Sequence, residues 1–148
     1  MESCLGFVVV IERARRLFLE ILEKQLKSLG VYDVTPAQMM MMYNLGSDQV
    51  STGSLITRGL YSGSNPAYNV KKIVSAGYAI CAKSPHDRRN SMIKLTQKGL
   101  TLCKKVEEAF DEATKQILSR SLSQDNFVDS VLILNGLVIG DSFLGAEE

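Results

Sequence analysis

The chain has 148 residues, 45% hydrophobic and 22% charged, a balance that suits one globular domain or one subunit of a symmetric oligomer and excludes a disordered tail. Its net charge of +1 hides a strong asymmetry: residues 1–52 carry −1, residues 53–98 carry +7 and residues 99–148 carry −5, the footprint of a nucleic-acid-facing middle segment. The longest apolar stretches, 5–11 and 131–140, fall far short of the roughly 18–20 residues that span a bilayer, and no membrane segment is expected.

Val10, Ala14, Leu17, Phe18, Ile21 and Leu22 recur at three and four residues, which predicts a long amphipathic helix over 7–29 closed by Gly30. After a connection at 31–33, Thr35 caps a helix with Pro36 in its first position, running to about Leu45 and ending at Gly46. Its four methionines, 39–42, read as core filling rather than a thioether metal patch, because the flexible side chain suits irregular gaps. Ser51 or Thr52 caps a short helix through Ile56 to about Gly59.

A Ser/Gly-rich turn at 61–64 leads to a second helix with its body at 66–76. Pro66 drives Asn65 out of the helical region and makes it a cap. Ala67, Val70, Ile73 and Val74 form the apolar stripe, and Gly77 is the stop. Beyond Gly77 the period changes: 78–83 and 91–96 are expected as strands around the polar loop 84–90, a β-hairpin with Arg88 and Arg89 at its tip. Thr96 caps another long helix, with Leu102, Val106, Ala109, Phe110, Ala113 and Ile117 on one face, and Ser123 starts a last one.

The expected fold is mainly α with a small β-hairpin wing. It is a winged helix-turn-helix at 35–96, framed by long N- and C-terminal dimerisation helices at 1–34 and 97–148. Such parts suit double-stranded DNA, whose major groove admits one α-helix while a narrow basic loop enters the minor groove beside it. Opposite the apolar stripe lie Tyr68, Lys72 and Ser75, flanked by Asn69 and Lys71, with Ser62, Ser64 and Asn65 at the N-terminal end. Asn bonds bidentately to adenine, Lys to guanine or phosphate, Ser hydroxyls to phosphate, and Tyr to phosphate or a thymine methyl. Arg88 and Arg89 are the wing-tip candidates for the minor groove, and Asp87 is expected to orient one of them through a salt bridge. The alternative is a winged-helix interaction module that binds an acidic protein partner with the same surface.

The order of long helix, Thr-Pro-capped helix and helix pair, then Ala76-Gly77-Tyr78 leading through Asp87-Arg88-Arg89 to Leu95-Thr96-Gln97-Lys98-Gly99, resembles the MarR family of bacterial transcription regulators. Asp-Arg-Arg followed by Leu-Thr-x-x-Gly is the specific part, and the resemblance covers about residues 7–140. Residues 62–69 depart from the commonest family sequence, which bears on the operator and not on the fold. The resemblance implies a homodimer on a pseudo-palindromic operator, as a rule a repressor, released by a small aromatic effector or by oxidation of a cysteine; the three cysteines, without paired spacing, point to a reducing cytoplasm as the compartment. The effector pocket would draw on the 7–29 helix, the 36–45 helix and the start of the 97–118 helix.

Cys4 lies roughly where peroxide-sensing members carry their reactive cysteine and is the candidate redox site, whereas Cys81 and Cys103 read as structural. The odd cysteine count and its spacing indicate neither a disulfide framework nor a zinc site. With His86 as the sole histidine, no metal and no cofactor are expected. No Ser/His/Asp set, Gly-rich phosphate loop or paired carboxylates stand out, so an enzyme is not expected.

Overall fold

A computed structural model describes residues 4–57, 65–83 and 91–121. Among them the order is α1 (Cys4–Ser28), α2 (Pro36–Leu45), β1 (Val50–Ser51), α3 (Thr52–Thr57), α4 (Pro66–Ser75), β2 (Ala79–Lys83), β3 (Ser91–Leu95) and α5 (Gln97–Ser121). The chain packs as two units, Met1–Glu107 and Glu108–Glu148, and the buried core among the described residues lies in the first. The expected helix from Ser123 lies outside the described residues.

Local chemistry sets the helix ends. At the end of α1, Gly30 has φ 73°, its N–H donates to Lys27 O at 3.0 Å, and Val31 N–H donates to Leu26 O at 2.9 Å. The same left-handed stop closes α4, where Gly77 (φ 78°) donates to Val74 O and Tyr78 to Ile73 O. Helix α2 opens on a reciprocal cap: Gln38 N–H donates to Thr35 Oγ1 at 3.3 Å, and Thr35 N–H donates to Gln38 Oε1 at 3.0 Å. Thr96 serves α5 twice, its Oγ1 accepting from Gly99 N–H at 3.3 Å and donating to Gly77 O at 2.7 Å.

Met39, Met41 and Met42 are buried with Leu22, Leu26, Leu55, Ile73 and Ile93, so the methionine run does fill the core. The apolar face of α1 is different. Leu22 is buried, but Val10, Leu17, Phe18 and Ile21 are exposed, Val10 by 60% and Leu17 by 54%. Strand β3 is central in a three-stranded antiparallel sheet of order β1-β3-β2, pairing Ile93 with both Val50 and Cys81. Strand β1 was not anticipated, because two residues are too short to show a period of two.

Tyr78 ties three segments together. Its hydroxyl donates to Asp33 Oδ1 at 2.9 Å, its carbonyl accepts from Thr96 N–H at 2.9 Å, and Lys98 Nζ lies 3.8 Å from the ring centroid. Burial, then the hydrogen bond to Asp33 and the charge of Asp33, push the phenol up to about 12. A raised pKa means the proton-bound form favours the fold: the contribution is complete below about pH 10, the ordinary phenol value, and is lost as pH rises toward 12. Between those values, the urea-measured stability of the wild type should fall by about 1–2 kcal/mol more than that of Tyr78→Phe. Parallel pH profiles for the two proteins would overturn this role for Tyr78.

Candidate nucleic-acid interface

Helix α4 begins on Asn65, whose backbone is left-handed (φ 65°, ψ 70°) and whose Oδ1 accepts from Tyr68 N–H at 3.0 Å. Asparagine tolerates this conformation because its short amide bonds locally, here capping the first turn. Pro66 at the first position leaves no orphan N–H there. Along the outer face, Tyr68, Lys71, Lys72 and Ser75 are exposed, and Lys72 Nζ lies 5.4 Å from the Tyr68 ring centroid. The Ser75 hydroxyl donates back to Lys72 O at 2.9 Å. Two lysines, an aromatic ring and a capped N-terminus therefore share one surface, with electropositive N–H groups at its leading end.

Asn69 departs from this group. Expected on the outer face, it is 9% exposed; its Oδ1 accepts from Gln38 Nε2 at 2.9 Å and its Nδ2 donates to Asn65 O at 3.2 Å. The buried side of α4 runs through Asn69 and Ile73, while Ala67, assigned to the apolar stripe, is exposed. Counting four residues from Asn69 to Ile73 places both on one helix face, a signal that polarity obscured. Gln38 was also missed as a partner, although Thr35-Pro36-Ala37-Gln38 carries the reciprocal-cap spacing.

The structure is silent on several expected residues: Ser62, Ser64, His86, Asp87, Arg88 and Arg89 lie outside the described residues, and so does the side chain of Cys4 at the first position of α1. Strands β2 and β3 lead into and out of the Arg88-Arg89 segment and pair from Lys83↔Ser91 to Ala79↔Leu95. Of the other cysteines, Cys81 is exposed on β2 and Cys103 is partly buried. Burial is the main cause that pushes the Cys103 thiol up to about 11, with the Glu107 charge adding to it, so little thiolate forms at neutral pH. Among the described residues, no group of three or more His, Cys, Asp and Glu could hold a metal ion, and no helix is long and apolar enough to cross a membrane.

Open grooves in the first unit include two that adjoin α1 and its C-terminal turn. One, about 350 Å³, is lined by Leu29, Val31, Tyr78 and the α5 residues Gln97, Lys98, Thr101, Leu102 and Lys105. The other, about 640 Å³, runs between α1 and the start of α2.

A short helix, a capped second helix and an antiparallel hairpin with a third strand define the winged helix-turn-helix class. Comparison with known proteins sharpens this. Solved structures that superpose include a MarR transcriptional regulator from Methanosarcina mazei Go1 (21% identical, TM-score 0.74, 90% of this chain and 97% of that one). A MarR-like transcription regulator from Bacillus cereus ATCC 10987 gives 23% identity and a TM-score of 0.68 over 87% of this chain and 91% of that one. Streptococcus pneumoniae FabT, solved in complex with DNA, gives 17% identity and a TM-score of 0.71 over 96% and 99%. The fold of the chain is that of the MarR-like regulators.

In sequence, the chain is 39% identical over 100 residues to the exopolysaccharide II synthesis transcriptional activator ExpG of Rhizobium meliloti (strain 1021), covering 68% of this chain and 52% of that protein. It therefore spans about half the length of the curated relative it matches. No protein-family model matches the chain. The relatives found are transcription regulators and not enzymes.

Proposed function

We propose that this protein is a sequence-specific transcription regulator that binds double-stranded DNA as a homodimer at a pseudo-palindromic operator. One observation carries the reading: Tyr68, Lys71 and Lys72 stand exposed on α4 behind the capped Asn65 turn, within a 46-residue segment of net charge +7 in a MarR-like fold. FabT, of the same fold, was solved on DNA. Residues 35–96 then form the DNA-binding lobe, and 1–34 with 97–148 the dimerisation region. The exposed Val10, Leu17 and Ile21 support the dimer, since a two-fold partner would bury them. Two-fold pairing sets the recognition helices about 34–36 Å apart, one DNA turn.

A dimer seated across a promoter represses by excluding polymerase, and repression is the direction we propose. The relative from Rhizobium meliloti is named an activator, the outcome favoured when the site lies upstream of the polymerase. For an effector, we place a small aromatic ligand in the groove at Leu29, Val31 and Leu102, with Lys105 at the rim. Cys4 is the proposed redox position, and the cytoplasm, where DNA and reduced thiols coexist, is the proposed compartment.

Binding-site selection from random duplexes tests the proposal. The expected result is an inverted repeat with half-sites one turn apart, bound with log K falling linearly in log salt. Recovery of no enriched sequence and no salt-sensitive duplex binding would refute it, and capture of an acidic protein in place of DNA would favour the interaction-module reading.

A further inference from the structure

The geometry points to Gln38 and Asn69 as positioning residues that set the start of α4 and thereby its sequence discrimination. This rests on the reading of α4 as the DNA-facing helix. Gln38 and Asn69 are the buried polar residues of the core among the described residues, 5% and 9% exposed, and they join α2 to α4 through a 2.9 Å hydrogen bond. No buried side-chain N or O among the described residues is left without a partner.

The polarity of this link is determined along its length. Thr35 N–H occupies Gln38 Oε1, so Gln38 turns Nε2 toward α4. Asn69 must answer with Oδ1, which leaves Nδ2 for the carbonyl of Asn65. That carbonyl also accepts from Asn69 N–H at 3.4 Å, and the Asn65 side chain holds Tyr68 N–H. A run of hydrogen bonds thus reaches from the cap of α2 to the cap of α4, with every donor and acceptor in one sense.

Its end point is the unusual one. Asn65 is the non-glycine residue with positive φ among the described residues, a conformation that persists only where its surroundings over-determine it. An apolar pair of similar volume would fill the space between α2 and α4 with little loss of stability: both partners of the buried hydrogen bond go together, Thr35 N–H sits on an exposed residue where water can replace Gln38 Oε1, and the Asn65 carbonyl keeps Asn69 N–H. What an apolar pair cannot do is point the Asn65 carbonyl. The link therefore places Asn65 and Tyr68, the base-reading end of α4, relative to the core. It leaves Lys71 and Lys72, which attract any phosphate backbone, untouched.

Two measurements on Gln38→Leu/Asn69→Leu separate the parts. Amide hydrogen exchange without DNA should rise about tenfold or more at 67–69 while Ile73 stays protected. Against the selected duplex, affinity should fall about tenfold, with affinity for a scrambled duplex and its salt slope unchanged. Asn69→Asp, which accepts from Gln38 but cannot donate to Asn65 when ionised, should show both effects in a protein that keeps the α2–α4 bond. Unchanged exchange at 67–69, or an unchanged ratio of specific to scrambled affinity in either folded variant, overturns the inference. A wild type that binds no duplex, with exchange that loosens in the variants, refutes the DNA reading and leaves the placement of the Asn65 turn by Gln38 and Asn69 standing.

Discussion

Arg88→Ala/Arg89→Ala is expected to weaken binding to the selected duplex about a hundredfold or more at physiological salt, with the fold intact. The two arginines are two of the eight basic side chains in residues 53–98 and follow Asp87 in the segment between β2 and β3. A proposed homodimer presents two such wings, so the substitution removes four positive charges from one complex. If Asp87 pairs with one arginine of each wing, as the sequence suggests, two DNA contacts are lost and the salt slope should drop by about 2. Scrambled duplexes should lose affinity as well, because a narrow minor groove attracts arginine through its potential more than through base edges. Titrations at 50, 100 and 200 mM salt check this. A double variant within twofold of the wild type at all three would remove the wing from the interface.

The second large effect concerns stability. Gly99→Ala is expected to destabilise the protein by about 3 kcal/mol, lowering the melting temperature by roughly 10 °C, despite alanine's better helix propensity. A Cβ at Gly99 would overlap the carbonyl oxygen of Tyr78 and approach Leu95 Cβ at 3.4 Å. The obstacle is backbone, so no rotamer change relieves it. Nor is that carbonyl free to retreat, since it accepts from Thr96 N–H at 2.9 Å while Thr96 Oγ1 bonds Gly77 O at 2.7 Å. The glycine of the Leu-Thr-x-x-Gly motif is thus required by close approach of the first turn of α5 to the chain leaving α4. Calorimetry is the check, and a melting temperature within 2 °C of wild type would show that the two segments separate at little cost.

These residues were legible in the sequence to different degrees. Thr35-Pro36, Asn65-Pro66 and Gly77 mark their helix ends through interactions of a few residues' span, and α2, α4 and the start of α5 were correctly anticipated from them. The strands flanking 84–90 followed from the change of period, and the MarR-like fold from the order of the parts. Charge placement was equally plain, because it needs only position along the chain.

Other features arise from docking and leave no local trace. Gln38 meets Asn69 across 31 residues and Tyr78 meets Asp33 across 45, pairings that depend on how helices cross rather than on periodicity. Polarity alone put Asn69 on the outer face of α4, whereas packing against α2 turns it inward and gives its amide two partners. Strand β1 exists because β3 offers Ile93 and Met92 as partners to Val50 and Ser51. The first helix is the sharpest contrast: its apolar period was evident from residue spacing, but which of its apolar residues are covered, Leu22 and Leu26, and which stay exposed, Val10, Leu17 and Ile21, emerges only in the packed chain. Periodicity and capping act within a turn or two of backbone, and burial is a property of the whole packed chain.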